Sequence, residues 1–278
     1  MTKPYSHEPI AENLNEFETM NFRKIEEDVR GFFKYSNEKF VLTDKIERII
    51  DPKKSFSLLD VGCGEGYVIR NIYRKVKRCV ALDPDHKMLE ILRKYVGNNS
   101  RVVLVNSKLE DFETTEKFDV TLSSHTLSYF NDKQLAINKM LDYTKKDGKL
   151  ILVLHCYDSE QMLMLREMFR LIKGREIKHI YAEVLYNYLI KQGFDAKLEK
   201  VETVTIFPSM EIPLRLSYFL FRTDYDKTSR RNQLVIHKYL ERKRFNYSVE
   251  IRTLHGIINI RKNVYPSKLI SREQIEHV

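Results

Sequence analysis

The stretch Leu58-Leu-Asp-Val-Gly-Cys-Gly-Glu-Gly-Tyr67 joins an apolar run to a glycine-rich turn and a helical pattern. The apolar run from Phe56 to Val61 predicts a buried strand, and the apolar positions between Val68 and Tyr73 predict a helix. Glycine suits the turn between them because it adopts positive φ freely and lets a ligand approach the backbone closely. The stretch therefore predicts a ligand site between the end of a strand and the N-terminus of a helix.

The glycine spacing indicates which ligand binds there. A dinucleotide fingerprint, G-x-G-x-x-G, would place its third glycine where this chain has Tyr67. The spacing Gly62-x-Gly64-x-Gly66 after Asp60 instead resembles motif I of class I S-adenosylmethionine-dependent methyltransferases. The resemblance implies S-adenosylmethionine as the cofactor, with the glycine turn facing its methionine and ribose part.

A second landmark is the acid at the end of the next apolar strand. Asp83 lies 17 residues beyond Gly66, and in the family an acid here accepts hydrogen bonds from two ribose hydroxyls. The polar loop after the third strand resembles the family's adenine-reading segment. The expected cofactor-binding residues are Asp60, Gly62, Cys63, Gly64, Gly66, Asp83, Pro84, Ser107, Leu109, Glu110 and Ser124.

Short apolar segments alternate with amphipathic ones along most of the chain, which predicts an α/β fold. Strands are predicted at 56–61, 78–83, 101–105, 118–123 and 149–155, and helices at 67–76, 85–96, 131–145 and 158–172. Later patterns predict a helix at 179–192, a strand within 196–207, helices at 213–222 and 229–244, and a strand at 249–260. The resemblance implies a Rossmann-like, seven-stranded, mostly parallel sheet with helices on both faces and an antiparallel edge strand.

The same patterns predict how the chain is organised. Residues 1–52 are expected to form an N-terminal helical cap, and residues 53–262 the methyltransferase domain. A helical insertion at about 211–246 precedes the last strand, a common position for structure that is specific to a substrate. Residues 263–278 are expected to be a polar tail.

Composition narrows the class of protein further. Three cysteines in 278 residues follow no metal-ligand spacing, so we expect no metal site and a reducing, cytoplasmic location. The first residues carry no apolar secretion signal, and no apolar run is long enough to span a bilayer, which predicts a soluble protein without a membrane partner. The sequence leaves the oligomeric state open.

The net charge of +9 is concentrated near the end of the chain. Residues 222–278 contain 13 lysines and arginines against 6 acidic residues. Such a basic region could hold nucleic acid, but a solvated helix face is the interpretation we favour.

Three further stretches resemble the histamine N-methyltransferase group of small-molecule methyltransferases. They are Val29-Arg-Gly-Phe-Phe-Lys-Tyr-Ser-Asn-Glu38, His125-Thr-Leu-Ser-Tyr129-Phe-Asn-Asp and Arg252-Thr-Leu-His-Gly-Ile-Ile-Asn259. The resemblance implies that Glu38 binds the substrate amine and that His125 and Tyr129 line the amine pocket. Histidine stands at 125 where the family has glutamine, and the resemblance aligns Arg252 with the family's substrate-facing asparagine. These departures point to an acceptor other than histamine.

The expected substrate-binding residues are Glu38, His125, Tyr129, His155 and Arg252. Glu38, His125 and Tyr129 are the expected catalytic residues: Glu38 orients the acceptor nitrogen, and His125 or a water takes its proton. Arg252 in the pocket would suit an additional anionic group, whereas on an edge strand it would be a surface residue. His155 could equally be a residue that closes its strand.

The sequence thus predicts methyl transfer to a small-molecule acceptor, an amine nitrogen being favoured. The alternative is an RNA or nucleic-acid methyltransferase that uses the basic C-terminal region. Against it, no Asn-Pro-Pro-Tyr or Asp-Pro-Pro-Tyr follows the fourth strand. A non-catalytic scaffold that keeps the cofactor pocket is disfavoured because the motif residues are intact.

Overall fold

The computed structural model describes residues 33–51, 55–177, 179–210, 213 and 229–261. The strands are β1 (Phe56–Val61), β2 (Val76–Asp83), β3 (Val102–Asn106), β4 (Phe118–Ser124), β5 (Thr144–His155), β6 (Asp195–Phe207), β7 (Arg244–Phe245) and β8 (Ser248–Arg261). The helices are α1 (Glu38–Ile50), α2 (Tyr67–Ile72), α3 (His86–Val96), α4 (Lys133–Tyr143), α5 (Glu160–Lys173), α6 (Ala182–Lys191) and α7 (Arg230–Glu241), with a 3₁₀ turn at Leu127–Tyr129.

The strands form one sheet in the order β3-β2-β1-β4-β5-β8-β6, and the two-residue β7 pairs with β8. β1 pairs in parallel with β2 and β4, and β4 pairs in parallel with β5. β8 runs antiparallel to β5. The predicted Rossmann-like α/β fold is confirmed, and the described sheet has eight strands because β7 adds a short one to the predicted seven.

Helices cover both faces of the sheet. On one face Leu58 of β1 packs in a core with Leu42 and Ile46 of α1. On the other face Leu59 packs in a core with Ile137 of α4 and Leu185 of α6. Consecutive residues of a strand point to opposite faces, so adjacent leucines in β1 serve two separate cores. This explains why β1 reads as an unbroken apolar run and not as an alternating one.

Some boundaries differ from the predicted ones for physical reasons. Helix α2 ends at Ile72, because Val76 already begins β2. Asp147-Gly148 is a dipeptide typical of turns, but Gly148 lies inside β5. A Cβ at Gly148 would lie 2.9 Å from the carbonyl oxygen of Asp119, so glycine lets the two strands approach where their register shifts. The part of the predicted N-terminal helical cap before residue 33 and the predicted helix at 213–222 lie outside the described residues, apart from Pro213.

The chain divides into two compact units. Among described residues, one unit contains 36–205, with the gaps noted above, and 251–261. The other contains 33–35, 206–210, 213 and 229–250. The predicted cap, domain and tail boundaries stay predictions. No helix in the described ranges is long and apolar enough to cross a membrane.

Candidate functional site

The glycine turn after β1 requires glycine at each of its three positions for geometric reasons. Gly62, Gly64 and Gly66 have φ values of 70°, 54° and 69°. A Cβ at Gly62 would lie 2.1 Å from Cγ2 of Thr126, and one at Gly66 would lie 2.4 Å from Cδ1 of Leu92. A Cβ at Gly64 would meet no atom within 4 Å. The outer side of Gly64 is therefore an open cradle in which a ligand can approach the backbone.

The acid at the end of β2 is joined directly to this turn. Asp83 Oδ2 accepts a hydrogen bond from the backbone N–H of Gly64 at 2.7 Å, and Oδ1 accepts one from Asp85 N–H at 2.8 Å. The pKa of the Asp83 carboxyl is raised above its ordinary value, because the effect of burial exceeds that of the two backbone hydrogen bonds, which lower it. The two bonds leave lone pairs on both oxygens, so the carboxylate can still accept hydrogen bonds from ligand hydroxyls.

Two other predicted cofactor residues lie beside the turn. Asp60 is 4% exposed, and burial, followed by the nearby Asp83, raises its pKa to about 7. The backbone N–H of Cys63 donates to the Leu82 carbonyl at 3.1 Å. Burial raises the pKa of the Cys63 thiol, which keeps it neutral and argues against a nucleophilic role.

The loop after β3 is tied to the end of β2. The side chain of Asn106 donates to the carbonyl oxygen of Pro84 at 2.8 Å. The backbone N–H of Ser107 donates to the carbonyl oxygen of Asp83 at 3.2 Å. Leu109 is buried, whereas Glu110 is exposed. The structure thus brings Pro84 and Ser107 to Asp83. Their roles, and those of Leu109, Glu110 and Ser124 at the end of β4, stay predictions.

The segment after β4 is linked to the glycine turn through Thr126, which the sequence did not single out. The hydroxyls of Thr126 and Ser123 share a short hydrogen bond, and Thr126 Oγ1 donates to the Val61 carbonyl at 3.2 Å. Its methyl group occupies the space that a side chain at Gly62 would need. Thr126 therefore packs the end of β4 against the end of β1.

Next to the ends of these two strands lies a group of three imidazoles, His125, His155 and His255, which we call the histidine cluster. The His125 and His155 ring centroids are 4.5 Å apart, and His125 Nε2 is 3.1 Å from His255 Nδ1. His155 and His255 are register partners on β5 and β8, so their side chains share a face of the sheet. Burial lowers the pKa of all three imidazoles, His255 to about 3, so they are neutral at pH 7.

His125 has a positive φ of 57°, which is uncommon for a residue with a side chain. Its backbone N–H donates to the Val153 carbonyl at 2.9 Å. The chain therefore turns sharply after β4, and this turn places the His125 imidazole in the cluster.

Glu38 stands at the start of α1, beside the cluster. Its Oε1 is 3.9 Å from His125 Nε2, and its Oε2 is 3.8 Å from His255 Nε2. The preceding Asn37 exchanges two hydrogen bonds with Val204 of β6, which fixes this end of the helix. Burial raises the pKa of the Glu38 carboxyl to about 7.

Two predicted substrate residues are not brought to the cluster. Arg252 lies on the opposite face of β8 from His255, because the two are an odd number of positions apart. Its Nη1 pairs with Glu202 Oε1 at 2.8 Å, and both side chains are about half exposed. This placement matches the second of the two alternatives that the sequence left open for Arg252, a surface residue on a strand. Tyr129 is 69% exposed on the 3₁₀ turn.

Three further members of the site were missed by sequence reasoning. His255 belongs to a stretch that we quoted, but its role depends on the register of β8 against β5. Thr203 of β6 lies 2.8 Å from His255 Nε2 through its hydroxyl oxygen. His179 stacks 5.7 Å from His155, and burial lowers its pKa to about 4. Only the alternation of buried residues along β8 could have indicated His255.

Comparisons with known proteins agree with this geometry. Residues 59–152 match a family described as a methyltransferase domain. The tRNA U34 carboxymethyltransferase of Aliivibrio salmonicida (strain LFI1238) is 28% identical over 161 residues, which is 56% of this chain and 50% of that protein. The chain thus spans about half the length of this curated relative.

Two solved structures share the fold. A candidate methyltransferase from Bacillus halodurans C-125 superposes with a TM-score of 0.59 at 16% identity, covering 80% of this chain and 99% of that one. A methyltransferase from Thermotoga maritima, described as a possible histamine N-methyltransferase, has a TM-score of 0.50 at 16% identity, covering 89% and 98%. Residues 59–152 thus match a methyltransferase-domain family, and the chain shares the fold of these solved structures, in agreement with the class I methyltransferase fold predicted from motif I.

Proposed function

We propose that this protein transfers a methyl group from S-adenosylmethionine to an amine nitrogen of a small-molecule acceptor. The observation that carries the proposal is the position of the buried carboxylate of Glu38 beside His125, immediately after β4. The glycine turn follows β1, the neighbour of β4 in the sheet. In open α/β sheets, ligands bind beyond the carboxyl ends of parallel strands, so cofactor and acceptor would meet at this edge.

The glycine turn and Asp83 would hold the cofactor. The open side of Gly64 admits the ligand, and the Asp83 carboxylate has lone pairs for the ribose hydroxyls. The bound cofactor supplies an electrophilic methyl group on a sulfonium. The protein therefore has to bind the cofactor, orient the acceptor towards the methyl group and exclude water. Alignment alone is worth effective molarities of ~10⁵–10⁸ M.

Glu38 would recognise the acceptor by charge. Its side chain is buried, and no lysine or arginine in the described part of the chain forms an ion pair with it. A buried carboxylate without a cationic partner is costly, and an entering ammonium group would provide that partner. Neutral imidazoles next to it accept or donate hydrogen bonds without repelling the amine.

Methyl transfer requires the acceptor nitrogen to lose its proton and expose its lone pair. Glu38 would orient the nitrogen and a water would carry the proton away, because burial lowers the pKa of His125, whose Nε2 lies 3.9 Å from Glu38 Oε1, and makes this imidazole a weak base. His155 lines the same side of the sheet, and Tyr129 would contact the acceptor only from the exposed rim. Arg252 has no part in this proposal.

The direct test is transfer of label from radioactive S-adenosylmethionine. Pooled small amines and amino-acid derivatives are assayed beside total RNA, each at low and moderate salt. Incorporation of label into an amine pool supports the proposal if S-adenosylhomocysteine inhibits that incorporation. Label confined to RNA, or cofactor binding with no label in the amine pools, contradicts it.

One observation favours RNA as a second candidate acceptor. The surface that begins in α7 carries exposed Arg230, Arg231, Lys238, Arg242 and Arg244, with Phe245 and Tyr247 72% and 83% exposed close by. Exposed aromatics next to basic residues provide stacking and phosphate contacts for single-stranded nucleic acid. This function predicts RNA labelling that declines steeply with salt, and loss of RNA binding in a Phe245→Ala, Tyr247→Ala double variant.

A further inference from the structure

We propose that the histidine cluster of His125, His155 and His255 binds a divalent transition-metal ion such as Zn²⁺. No metal-ligand spacing is visible in the sequence, because the three residues are separated by 30 and 100 positions. The fold brings one imidazole from the turn after β4, one from the end of β5 and one from β8 to the same place. An ion in the cluster would use His125, with Glu38 as a fourth ligand, so it would compete with the amine acceptor proposed above for these two residues.

The distances suit a shared ion. One ring nitrogen from each histidine can be chosen so that all three lie within 4.8 Å of one another. The closest pair, His125 Nε2 and His255 Nδ1, is 3.1 Å apart. Zn–N bonds of about 2.0–2.1 Å place two nitrogens on one tetrahedral ion about 3.4 Å apart. The cluster therefore needs only small side-chain adjustments to surround an ion.

A hydrogen bond outside the cluster directs the His255 lone pair. His255 Nε2 lies 2.8 Å from Thr203 Oγ1, and that hydroxyl has the carbonyl oxygen of Thr253 as its own acceptor at 3.4 Å. When Thr203 donates to the carbonyl, His255 Nε2–H donates to Thr203. Nδ1 of His255 then presents its lone pair towards His125. Metal-binding histidines commonly use the second ring nitrogen in this way.

Backbone hydrogen bonds hold the three histidines in place, and a neighbouring carboxylate can provide a fourth metal ligand. His155 and His255 are paired across two central strands, and His125 is held by its backbone bond to Val153. The Glu38 carboxylate, whose Oε1 is 3.9 Å from the ligand nitrogen His125 Nε2, is close enough to complete the coordination. Three imidazoles with one carboxylate suit zinc, copper, iron or nickel more than magnesium or calcium.

The competing explanation is a set of neutral imidazoles held together by the His125–His255 hydrogen bond and by ring stacking. Cobalt(II) separates the two explanations, because it reports the number and type of its ligands through visible absorption. Chelator-treated protein is titrated with Co²⁺ without cofactor or acceptor, and bound Co²⁺ is then displaced with Zn²⁺. We expect one ion per chain and an absorption band typical of four-coordinate nitrogen and oxygen ligands.

Three variants test the ligands. His155→Asn removes a predicted ligand and should weaken binding more than Thr203→Val, which leaves the ligands in place and should weaken it about 10–100-fold. His86→Asn is the matched control, since His86 lies exposed on α3 near Glu90. The Co²⁺ affinity of this variant should equal that of the wild type. Circular dichroism checks that each variant is folded, which matters because His255 itself is fully buried.

Two results would overturn the proposal: a folded wild-type chain that does not bind Co²⁺ stoichiometrically, or equal affinity in the wild type and His155→Asn. Neither result affects the methyl-transfer assay, which contains cofactor and acceptor and scores labelled product. A protein that binds Co²⁺ but methylates no amine would retain the metal site and lose the proposed acceptor.

Discussion

The backbone N–H of Gly64 and the Oδ2 of Asp83 are 2.7 Å apart, so the glycine turn and the acid at the end of β2 form one hydrogen-bonded unit. The sequence presented them as two separate landmarks, 19 positions apart. In the folded chain, the carboxylate fixes the peptide next to which a ligand would lie. Loss of the acid would therefore affect the turn as well as the ribose contacts.

Replacing Asp83 with alanine should weaken S-adenosylmethionine binding about 10–100-fold, because hydrogen bonds to a charged group contribute about 1.5–3 kcal/mol each. Isothermal titration calorimetry measures the change. Asp85→Ala is the control. It removes the cap on Lys87 N–H of α3, which should lower the free energy of unfolding by about 0.5–2 kcal/mol and leave cofactor affinity unchanged. Equal losses of affinity in the two variants would contradict a direct role for Asp83.

Gly62→Ala and Gly64→Ala should have different effects although both positions have positive φ. The Gly62 variant forces its Cβ against Thr126 and should lower the free energy of unfolding by several kcal/mol, more than the conformational cost of about 1–2 kcal/mol. The Gly64 variant meets no protein atom, so it should cost stability only through its conformation and mainly reduce cofactor affinity. Denaturant unfolding and cofactor titration of both variants separate the two effects.

The burial of Asp60 should make the stability of the ligand-free protein depend on pH. The folded-state pKa of about 7 lies above the ordinary value of 3.8, so the folded chain binds more protons than the unfolded chain between about pH 4 and 7. The free energy of unfolding should therefore fall as pH rises through this window. The loss is at most a few kcal/mol, since one pKa unit corresponds to about 1.36 kcal/mol.

Asp60→Asn should remove that part of the pH dependence and be more stable than the wild type at pH 8. Urea unfolding of both proteins from pH 5 to 8 gives the comparison. Parallel stability curves for the two proteins would show that Asp60 does not titrate in this range.

Glu38→Gln should raise the KM for an amine acceptor about 10–100-fold or abolish turnover, because the charge that balances the ammonium group is lost. Cofactor affinity should stay unchanged, since Glu38 lies beside the histidines and not at the glycine turn. Glu199→Gln, a surface acid paired with Lys45, is the control and should leave both constants unchanged. Loss of cofactor binding in Glu38→Gln would contradict the assignment of Glu38 as the residue that binds the acceptor.

Arg252→Ala should change the free energy of unfolding by less than about 1 kcal/mol, because its pair with Glu202 is half exposed and such pairs contribute little. It should also leave the acceptor KM within about twofold of the wild type. A large rise in KM for acceptors that carry an anionic group, measured beside neutral amines, would restore the interpretation of Arg252 as a substrate residue.

The parts of the site that are local in sequence could be predicted from it. The glycine turn and Asp83 are identified by spacing, since the chemistry of each depends on the end of a single strand. The α/β fold follows from the alternation of apolar segments. Asp147-Gly148 shows a limit of local patterns, because a dipeptide typical of turns here permits a close strand approach inside β5.

The histidine cluster could not be predicted in the same way. His255 reaches it only because β8 runs antiparallel to β5 in a register that pairs it with His155. The two alternatives for Arg252 stayed open because the register of a strand decides which face a side chain takes, and resemblance to a family does not fix that register. Thr126 and Thr203 act through hydrogen bonds that no spacing reveals.

The position of β8 between β5 and β6 has a consequence for how the protein is made. The ribosome completes β6 before β8, so the sheet neighbour of β6 does not yet exist when β6 emerges. The pairings among β1 to β5 involve no later strand, so all the partners for them have been synthesised at that stage. The glycine turn and Asp83 are thus available early in biosynthesis, whereas His255, and with it the complete histidine cluster, is delivered by the last strand of the sheet.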